Sequence, residues 1–413
     1  PDSSKELDKF FPTNTLVTGP DIIFFWVARM IITGYEFLGD KPFSDVYFTS
    51  ILRDESGKKL SKSLGNSPDP FDLFEEYGTD AVRFGVMLMA PQGLDVLFSK
   101  ERLEIGRNFM NKLWNACRFV DMNKPDGWND KGLVASQKLE LADNWILNRL
   151  ERAIKNYNKQ IDRFHFNESA KVLYDFIWND FCDWYIEIAK TRFYSEDSDS
   201  KVATYNTCVR CIRIILPLLH PYTPFITEEL WLYFKDKDQP DLIVSSWPEQ
   251  KSEFDLKIDN EMEVLQGIIS SVRAIRSRMN IPPSKKIDLK IKCSSRQSNF
   301  IAQNSQFIIT LAKLESYEAS EFMQKPPQSA AGIIHGMELY IPLDGLVDLD
   351  KERSLLLKRK TKIEELLISI EKKLLNDKFI NNAPVKVVEG EKEKEITLKD
   401  ELEKINSNLG MLS

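Results

Sequence analysis

Four stripes of apolar residues run through the middle of the sequence at helical spacing, and they constrain the fold more than any other feature. Phe109, Leu113, Ala116 and Phe119 form the first, within Asn108–Phe119. Trp145, Leu150, Ile154, Tyr157 and Ile161 form the second, and Leu173, Ile177, Trp178, Phe181, Tyr185 and Ile188 the third. Val209–Leu219 opens a fourth, which Pro217, Pro221 and Pro224 kink or end. Residues three and four apart share one face of a helix, so stripes rich in large aromatics predict a bundle of long, mutually packed helices.

The C-terminal segment carries a stricter period. Leu346, Leu349, Arg353, Leu356, Lys360, Ile363, Leu367, Ile370 and Leu374 alternate steps of three and four, a heptad seam with two polar positions. Asn381-Asn382-Ala383-Pro384 breaks the seam, and Leu398, Leu402, Ile405, Leu409 and Leu412 resume it. This predicts an antiparallel helical hairpin whose arms cover each other's seams, each arm of about 25 residues reaching ~40 Å.

The first 66 residues mix short apolar segments with turns. Ile22–Ile32 is apolar nearly all round and reads as a buried helix opened by Thr18-Gly19-Pro20-Asp21. Asp45–Leu52 is rich in β-branched and aromatic residues and reads as a buried strand leading into the polar turn Arg53–Lys59. After an amphipathic helix over 260–279, Lys286–Lys292 and Glu338–Pro342 alternate like strands, so a small α+β module is expected over 281–345.

Composition removes several classes. With 42% hydrophobic and 29% charged residues, the 413-residue chain is too apolar to be disordered. Arg29 interrupts the longest apolar run, which falls short of the ~20 residues of a membrane span, so no membrane partner is expected. No basic-then-apolar leader stands at the start. Cys117, Cys182, Cys208, Cys211 and Cys293 are scattered, which fits reduced thiols in a cytoplasmic protein. Cys208 and Cys211 form a lone C-x-x-C with no second ligand pair nearby, so no metal site is expected. The balance of 56 Lys and Arg against 63 Asp and Glu gives a net charge of -7, so any nucleic-acid contact must come from local basic patches.

The chemistry is concentrated in Lys59-Leu60-Ser61-Lys62-Ser63, which follows a strand and a glycine turn. Two lysines three apart, with hydroxyls between them, can meet a polyphosphate from a loop. Lysine is a compact charge that can follow negative charge as it moves toward a leaving group. Taken alone, such a pentamer is most often a solvated turn.

Upstream stands Thr18-Gly19-Pro20-Asp21-Ile22-Ile23-Phe24-Phe25-Trp26-Val27-Ala28-Arg29-Met30. Together the two segments resemble the valyl-tRNA synthetases, a class I aminoacyl-tRNA synthetase family whose second signature is KMSKS, with Leu60 here in the methionine position. Arg107–Ala116 and Leu218–Trp231 carry the same resemblance, which extends along essentially the whole chain.

The resemblance implies a mainly α protein. Residues 1–66 would be the residual half of a Rossmann-like α/β catalytic domain, and 67–280 a helical linker and anticodon-binding bundle. The small α+β module over 281–345 and a coiled-coil tRNA-binding arm over 346–413 would follow. It also implies that valine reacts with Mg-ATP to give valyl-adenylate and pyrophosphate, and that a terminal ribose hydroxyl of tRNA(Val) then takes the acyl group. Lys59 and Lys62 would stabilise the pyrophosphate, Ser61 and Ser63 would bond the phosphates or hold the loop, and Gly19 would let the adenylate approach the backbone. Asp21 would contact nucleotide or amino group, or simply cap the helix. Ile22 and Trp26 would wall the valine pocket, or pack in the core. An apolar pocket rejects threonine poorly, so an editing domain is expected in the family.

For the RNA, Lys112 and Phe119 stand seven apart on one predicted helix face, a cation beside an aromatic that can stack. Solvated helix face and core packing are the alternatives. Glu101 stands where relatives tend to be basic, and Lys100 or Arg102 would substitute. In the hairpin, 351–378 holds nine Lys and Arg against five Asp and Glu, and 386–404 holds five against seven. Lys358, Arg359, Lys360 and Lys362 form the densest basic run, either a solvated coiled-coil face or a contact with the tRNA elbow.

The chain departs from a whole synthetase in one respect. HIGH, the first class I signature, is absent, and His165, His220 and His335 lie in no such pattern. The 413-residue chain alone is therefore expected to be inactive in adenylate formation, and a monomer. The alternatives are an isoleucyl- or leucyl-tRNA synthetase, or a tRNA-binding module without catalysis.

Overall fold

The fold is that of a computed structural model, which describes residues 4–90, 93, 95–128, 139–346, 349–375 and 385–411. The chain is mostly helical and divides into two compact units, Pro1–Asp259 and Asn260–Ser413.

The first unit begins with α1 (Lys5–Phe10) and β1 (Thr13–Thr18). A 3-10 turn (Pro20–Ile22) and a π-helical turn (Ile23–Val27) lead into α2 (Ala28–Leu38), and β2 (Phe43–Phe48) returns parallel to β1. Two expectations are corrected here. Ile22–Ile32 is not buried: Phe24 is 85% exposed, and Phe25, Trp26, Ile31 and Ile32 are exposed as well. Among the described residues, the sheet beside this segment has two strands, β1 and β2, too little surface to cover a helix that is apolar on all sides. Asp45–Leu52 is not one buried strand either. Only Phe43 of β2 is buried, and the chain leaves the ladder before β3 (Leu52–Arg53), which pairs with β4 (Val96–Leu97).

Between these strands lie α3 (Pro70–Tyr77) and α4 (Thr79–Met89). Asp69 starts α3 by accepting from the Phe71 amide at 2.9 Å, with Pro70 at the first helical position where its missing N–H costs nothing. The bundle then follows as α5 (Lys100–Met122), α6 (Leu141–Ile161), α7 (Phe166–Asp175), α8 (Ile186–Phe193), α9 (Ser198–Leu219) and α10 (Pro224–Phe234). The four stripes are helical, but the third is not one α-helix: Phe176–Tyr185 is π-helical. Helix α5 packs closely on α4, because a Cβ on Gly106 would stand 2.2 Å from the Ala81 carbonyl oxygen. Only glycine permits that approach.

Buried polar groups tie the bundle together. Asp80 of α4 accepts from the Ile226 amide at 2.6 Å and so caps α10 from another helix, and burial pushes its carboxyl upward. Arg83 donates to the carbonyls of Pro221 and Tyr222, both at 3.0 Å. The Leu218–Trp231 segment is thus a joint between α4, α9 and α10. Asp143 of α6 accepts from the Tyr185 hydroxyl at 2.6 Å and from the Arg192 guanidinium, all three being buried.

In the second unit α11 (Leu256–Arg278) precedes β5 (Ile287–Lys292), α12 (Ser295–Gln303), α13 (Ser305–Ala312), β6 (Leu314–Ser320), β7 (Ser329–Ile334) and β8 (Met337–Pro342). The sheet order is β6-β5-β8-β7, with β5 and β6 parallel and the other pairs antiparallel. Arg276 donates to the carbonyls of Pro282 and Lys285 at 2.8 and 2.5 Å, fixing the turn from α11 into β5.

The hairpin is α14 (Leu349–Leu374) and α15 (Val385–Met411). Ile363, Leu367 and Ile405 form its core, with Leu398, Leu402 and Leu409 packed around them. Lys373 meets Glu391 and Lys399 meets Glu371, each at 3.3 Å, so the arms run antiparallel. The expected break at Asn381–Pro384, the side chains of Leu349, Arg353 and Leu356, and Leu412 lie outside the described residues.

Candidate functional site

The Lys59–Ser63 loop is built around two side chains the sequence reading did not single out. Asp54 Oδ1 accepts from the Ser56 amide at 3.0 Å, the Ser56 hydroxyl at 2.7 Å and the Lys58 amide at 2.9 Å. Its Oδ2 accepts from Asn66 Nδ2 at 2.8 Å. Gly57, at a φ of +80°, closes the turn in the left-handed region. Asn66 also accepts from the Ser61 amide at 2.9 Å and donates to the Lys59 carbonyl at 3.2 Å, so it spans the loop from entrance to exit. The Ser61 and Ser63 hydroxyls bond each other at 2.7 Å. Lys62 starts a 3-10 turn, and its side chain lies outside the described residues.

Hydrogen bonds from Ser56, then Asn66 and the Lys58 amide, hold the Asp54 carboxyl down at about 2. A carboxylate depressed in the folded state supports the loop above its unfolded value of ~3.9 and loses that support as pH falls toward the folded one. In an NMR titration, the Asp54 carboxyl is expected to show its midpoint near pH 2, and Asn66→Ala to raise it. A wild-type midpoint at the ordinary carboxylate value would refute this geometry.

The loop reaches the upstream segment through an ion pair. Lys59 Nζ and Asp21 Oδ2 are 2.7 Å apart, across 38 positions of sequence. Asp21 makes no capping bond, so the capping alternative for it does not hold. Gly19 leaves its backbone open, with nothing within 4 Å of where a Cβ would stand. Ile22 and Trp26 are solvent-exposed, so core packing does not account for them. The Lys59–Asp21 contact thus joins the segment that holds Gly19 and Asp21 to the loop that holds Lys59 and the Ser61–Ser63 pair, and so brings together a cation, a carboxylate, two hydroxyls and open backbone. That set can meet a nucleotide's phosphates and ribose together.

On the bundle, Lys112 is not a solvated lysine. Its ammonium lies 3.7 Å above the Trp178 ring and 2.5 Å from Asp183 Oδ1. Phe119 is half-buried, edge-on to Phe193 at 5.8 Å, with Lys190 at 5.7 Å from its ring. Arg102 is exposed on α5, and Glu101 accepts from the Ser99 hydroxyl. In the arm, Lys358, Arg359 and Lys362 are exposed, while Lys360 is half-buried and 3.8 Å from Glu364. Cys208 and Cys211 are buried, and burial pushes both thiols up. Among the described residues no group of three or more His, Cys, Asp or Glu is placed to hold a metal ion.

Among the described residues one helix, Ser198–Leu219, is long and apolar enough to cross a membrane, and 78% of its apolar window is buried within the protein. No periodicity in the sequence reveals Asp54, Asn66 or Asp183, and the third stripe marked Trp178 only as an apolar packing residue. Only Asp54-Glu55-Ser56-Gly57 carried a readable turn signal.

Three family models match in succession. Residues 1–99 match class I tRNA synthetases (I, L, M and V), 143–291 the anticodon-binding domain of tRNA ligase, and 348–413 the valyl tRNA synthetase tRNA binding arm. The valine–tRNA ligase of Chlorobaculum tepidum is 38% identical over 99% of this chain and 46% of its own length. That of Enterococcus faecalis is 41% identical over 98% of this chain and 46% of its own length. The chain thus spans about half the length of the curated relatives it matches. Among solved structures, the LeuRS of Agrobacterium radiobacter K84, in a ternary complex with tRNA and LeuAMS, aligns with a TM-score of 0.46. It is 19% identical over 60% of this chain and 30% of its own. The match to the valyl tRNA synthetase arm, with whole-chain likeness to valine–tRNA ligases, favours the valyl reading over the isoleucyl and leucyl alternatives. By these matches the chain corresponds along its length to the C-terminal part of valyl-tRNA synthetases.

Proposed function

We propose that this chain supplies the KMSKS-type loop and the tRNA-binding surfaces of a cytoplasmic, monomeric valine–tRNA ligase. In this reading residues 1–66 belong to a Rossmann-like nucleotide-binding domain. Residues 67–280 form the linker and anticodon bundle, 281–345 a small α+β module, and 346–413 a tRNA-binding arm. The observation that carries it is the Lys59–Asp21 contact at 2.7 Å, because it brings the two resembling segments to one face.

The valine carboxylate attacks the α-phosphate of ATP, whose Mg2+ enters with the substrate, and pyrophosphate leaves. Lys59 and Lys62 meet the charge that builds on the leaving pyrophosphate, which lowers the barrier because that charge is greatest after the ground state. Ser61 and Ser63 position the phosphates or the loop. Asp21 accepts from ribose or the valine ammonium, and Ile22 and Trp26 line the side-chain pocket. Transfer to the tRNA then needs only orientation of the ribose hydroxyl. Valine-dependent ATP–pyrophosphate exchange by the complete protein carrying this chain tests the reading. Exchange driven by leucine or isoleucine, and not by valine, would overturn it.

Two surfaces divide the RNA work. Lys112 and Phe119, with Arg102 nearby on α5, would read the anticodon. Lys358, Arg359, Lys360 and Lys362 would meet phosphates. Replacing those four by glutamine is expected to lower affinity for every tRNA alike and flatten the salt dependence by roughly 0.9 per lost phosphate contact. Lys112→Ala is expected to reduce discrimination between tRNA(Val) and an anticodon variant, with a much smaller change in salt slope. Fluorescence binding with both RNAs at several salt concentrations separates the two effects.

A further inference from the structure

Lys112 has a fixed side chain at a surface where lysines are ordinarily free. It is 23% exposed, with its ammonium above Trp178 and against Asp183. Holding a lysine side chain in one rotamer costs side-chain entropy, and an ion pair with a solvent-exposed partner returns less than that cost. The arrangement is therefore weakly motivated by stability alone.

Asp183 is the unexpected member. Its side chain is 51% exposed, so the carboxylate keeps lone pairs facing solvent beyond the one that Lys112 occupies. A carboxylate on an RNA-binding face repels phosphate, and it weakens binding unless it accepts from a base. Asp183 and Trp178 both ride on the π-helical stretch Phe176–Tyr185, a local geometry concentrated at functional sites. Both also fall within the 143–291 segment that matches an anticodon-binding domain. Tyr174 stacks on Trp178 with ring centroids 5.5 Å apart, extending an aromatic ledge beside the pair. Lys112 and Asp183 thus present a donor and an acceptor 2.5 Å apart at the edge of that ledge.

We propose that Asp183 is a specificity-determining residue that reads one anticodon base together with Lys112. The lysine donates to a ring-nitrogen acceptor of the base, and the carboxylate accepts from the neighbouring exocyclic amino group. Adenine and cytosine present that combination. Guanine and uracil place a carbonyl oxygen where the amino group would be, against the carboxylate. Valine codons begin with GU, so the two invariant anticodon bases are adenine and cytosine, and both carry the amino group. The proposal rests on the reading of Lys112 as an anticodon contact.

The test uses the complete protein carrying this chain and tRNA(Val) transcripts in which the anticodon adenine or cytosine is replaced, one at a time, by guanine or uracil. Wild type is expected to prefer the amino base at one of the two positions by roughly 5–150-fold, the range for a good paired base contact. Asp183→Asn, whose amide can turn either way, is expected to lose about tenfold or more of that preference while its melting temperature stays unchanged. Lys112→Ala is expected to lose preference at the same position, and the double variant no more than either single one. If Asp183→Asn changes affinity for all transcripts by one common factor while Lys112→Ala loses discrimination, Asp183 only holds the lysine and the proposal fails. If neither variant loses discrimination, the anticodon reading of Lys112 itself fails.

Discussion

Asp143→Ala is expected to destabilise the first unit by about 3–5 kcal/mol, the usual cost of removing one partner from a buried ion pair. Asp143 is fully buried and Arg192 nearly so. The carboxylate accepts from Arg192, from the Tyr185 hydroxyl at 2.6 Å and from the Glu140 amide at 2.9 Å. Burial, then the Asp143 charge, push the Tyr185 phenol far up, so it stays a donor. Arg192 also donates to the Ser200 hydroxyl at 2.7 Å, which joins α6, α8 and α9 through one guanidinium. Without the carboxylate, that cation stays in a low-dielectric interior beside the neutral Ser200 acceptors and the peripheral Glu140. Thermal unfolding followed by circular dichroism is expected to fall by on the order of 10 °C. Replacing both partners by apolar residues, Asp143→Leu with Arg192→Met, is expected to cost much less, because no charge remains buried. Equal losses in the single and double variants would show that packing volume, not the unpaired charge, sets the cost.

Lys62→Ala in the complete protein is expected to slow valyl-adenylate formation by two to three orders of magnitude, about 2.7–4 kcal/mol of barrier, with little change in valine affinity. The charge on the departing pyrophosphate grows along the reaction, so a lysine that meets it acts on the transition state more than on bound substrate. The loop that carries Lys62 is pinned at both ends by Asn66 and Asp54, which limits where its backbone can go. Asn66→Ala is therefore expected to slow the same step less, by loosening the loop without removing charge. Single-turnover kinetics resolve the step from product release. A Lys62→Ala rate equal to wild type would refute the assignment.

Much of the architecture was legible because the helical period survives in sequence. Phe109 and Leu113 on one helix, and Leu150, Ile154 and Tyr157 on the next, repeat at the three-and-four spacing of one helix face, and each is buried. The hairpin was legible for the same reason, since Ile363, Leu367 and Ile405 can leave water only against one another. The Ile22–Ile32 segment misled, because local hydrophobicity reports what a helix would bury and not whether a neighbour covers it. The interruption of the third stripe by π-helix was equally invisible, as one changed hydrogen-bond register leaves the apolar spacing almost intact.

By itself, then, the sequence determined the helices, the turn that launches the Lys59–Ser63 loop and the family resemblance, all properties of residues near one another in the chain. Only tertiary structure decided which distant groups meet: Asp21 with Lys59, Asp80 with the start of α10, Asp143 with Arg192, and Asp183 with Lys112. Each of these pairs is a charged group whose partner lies at least 38 positions away, and no periodicity links such residues. Their meeting is imposed by the packing of apolar faces, which carries the elements that hold them into register, and the polar contacts form only once that packing has expelled water.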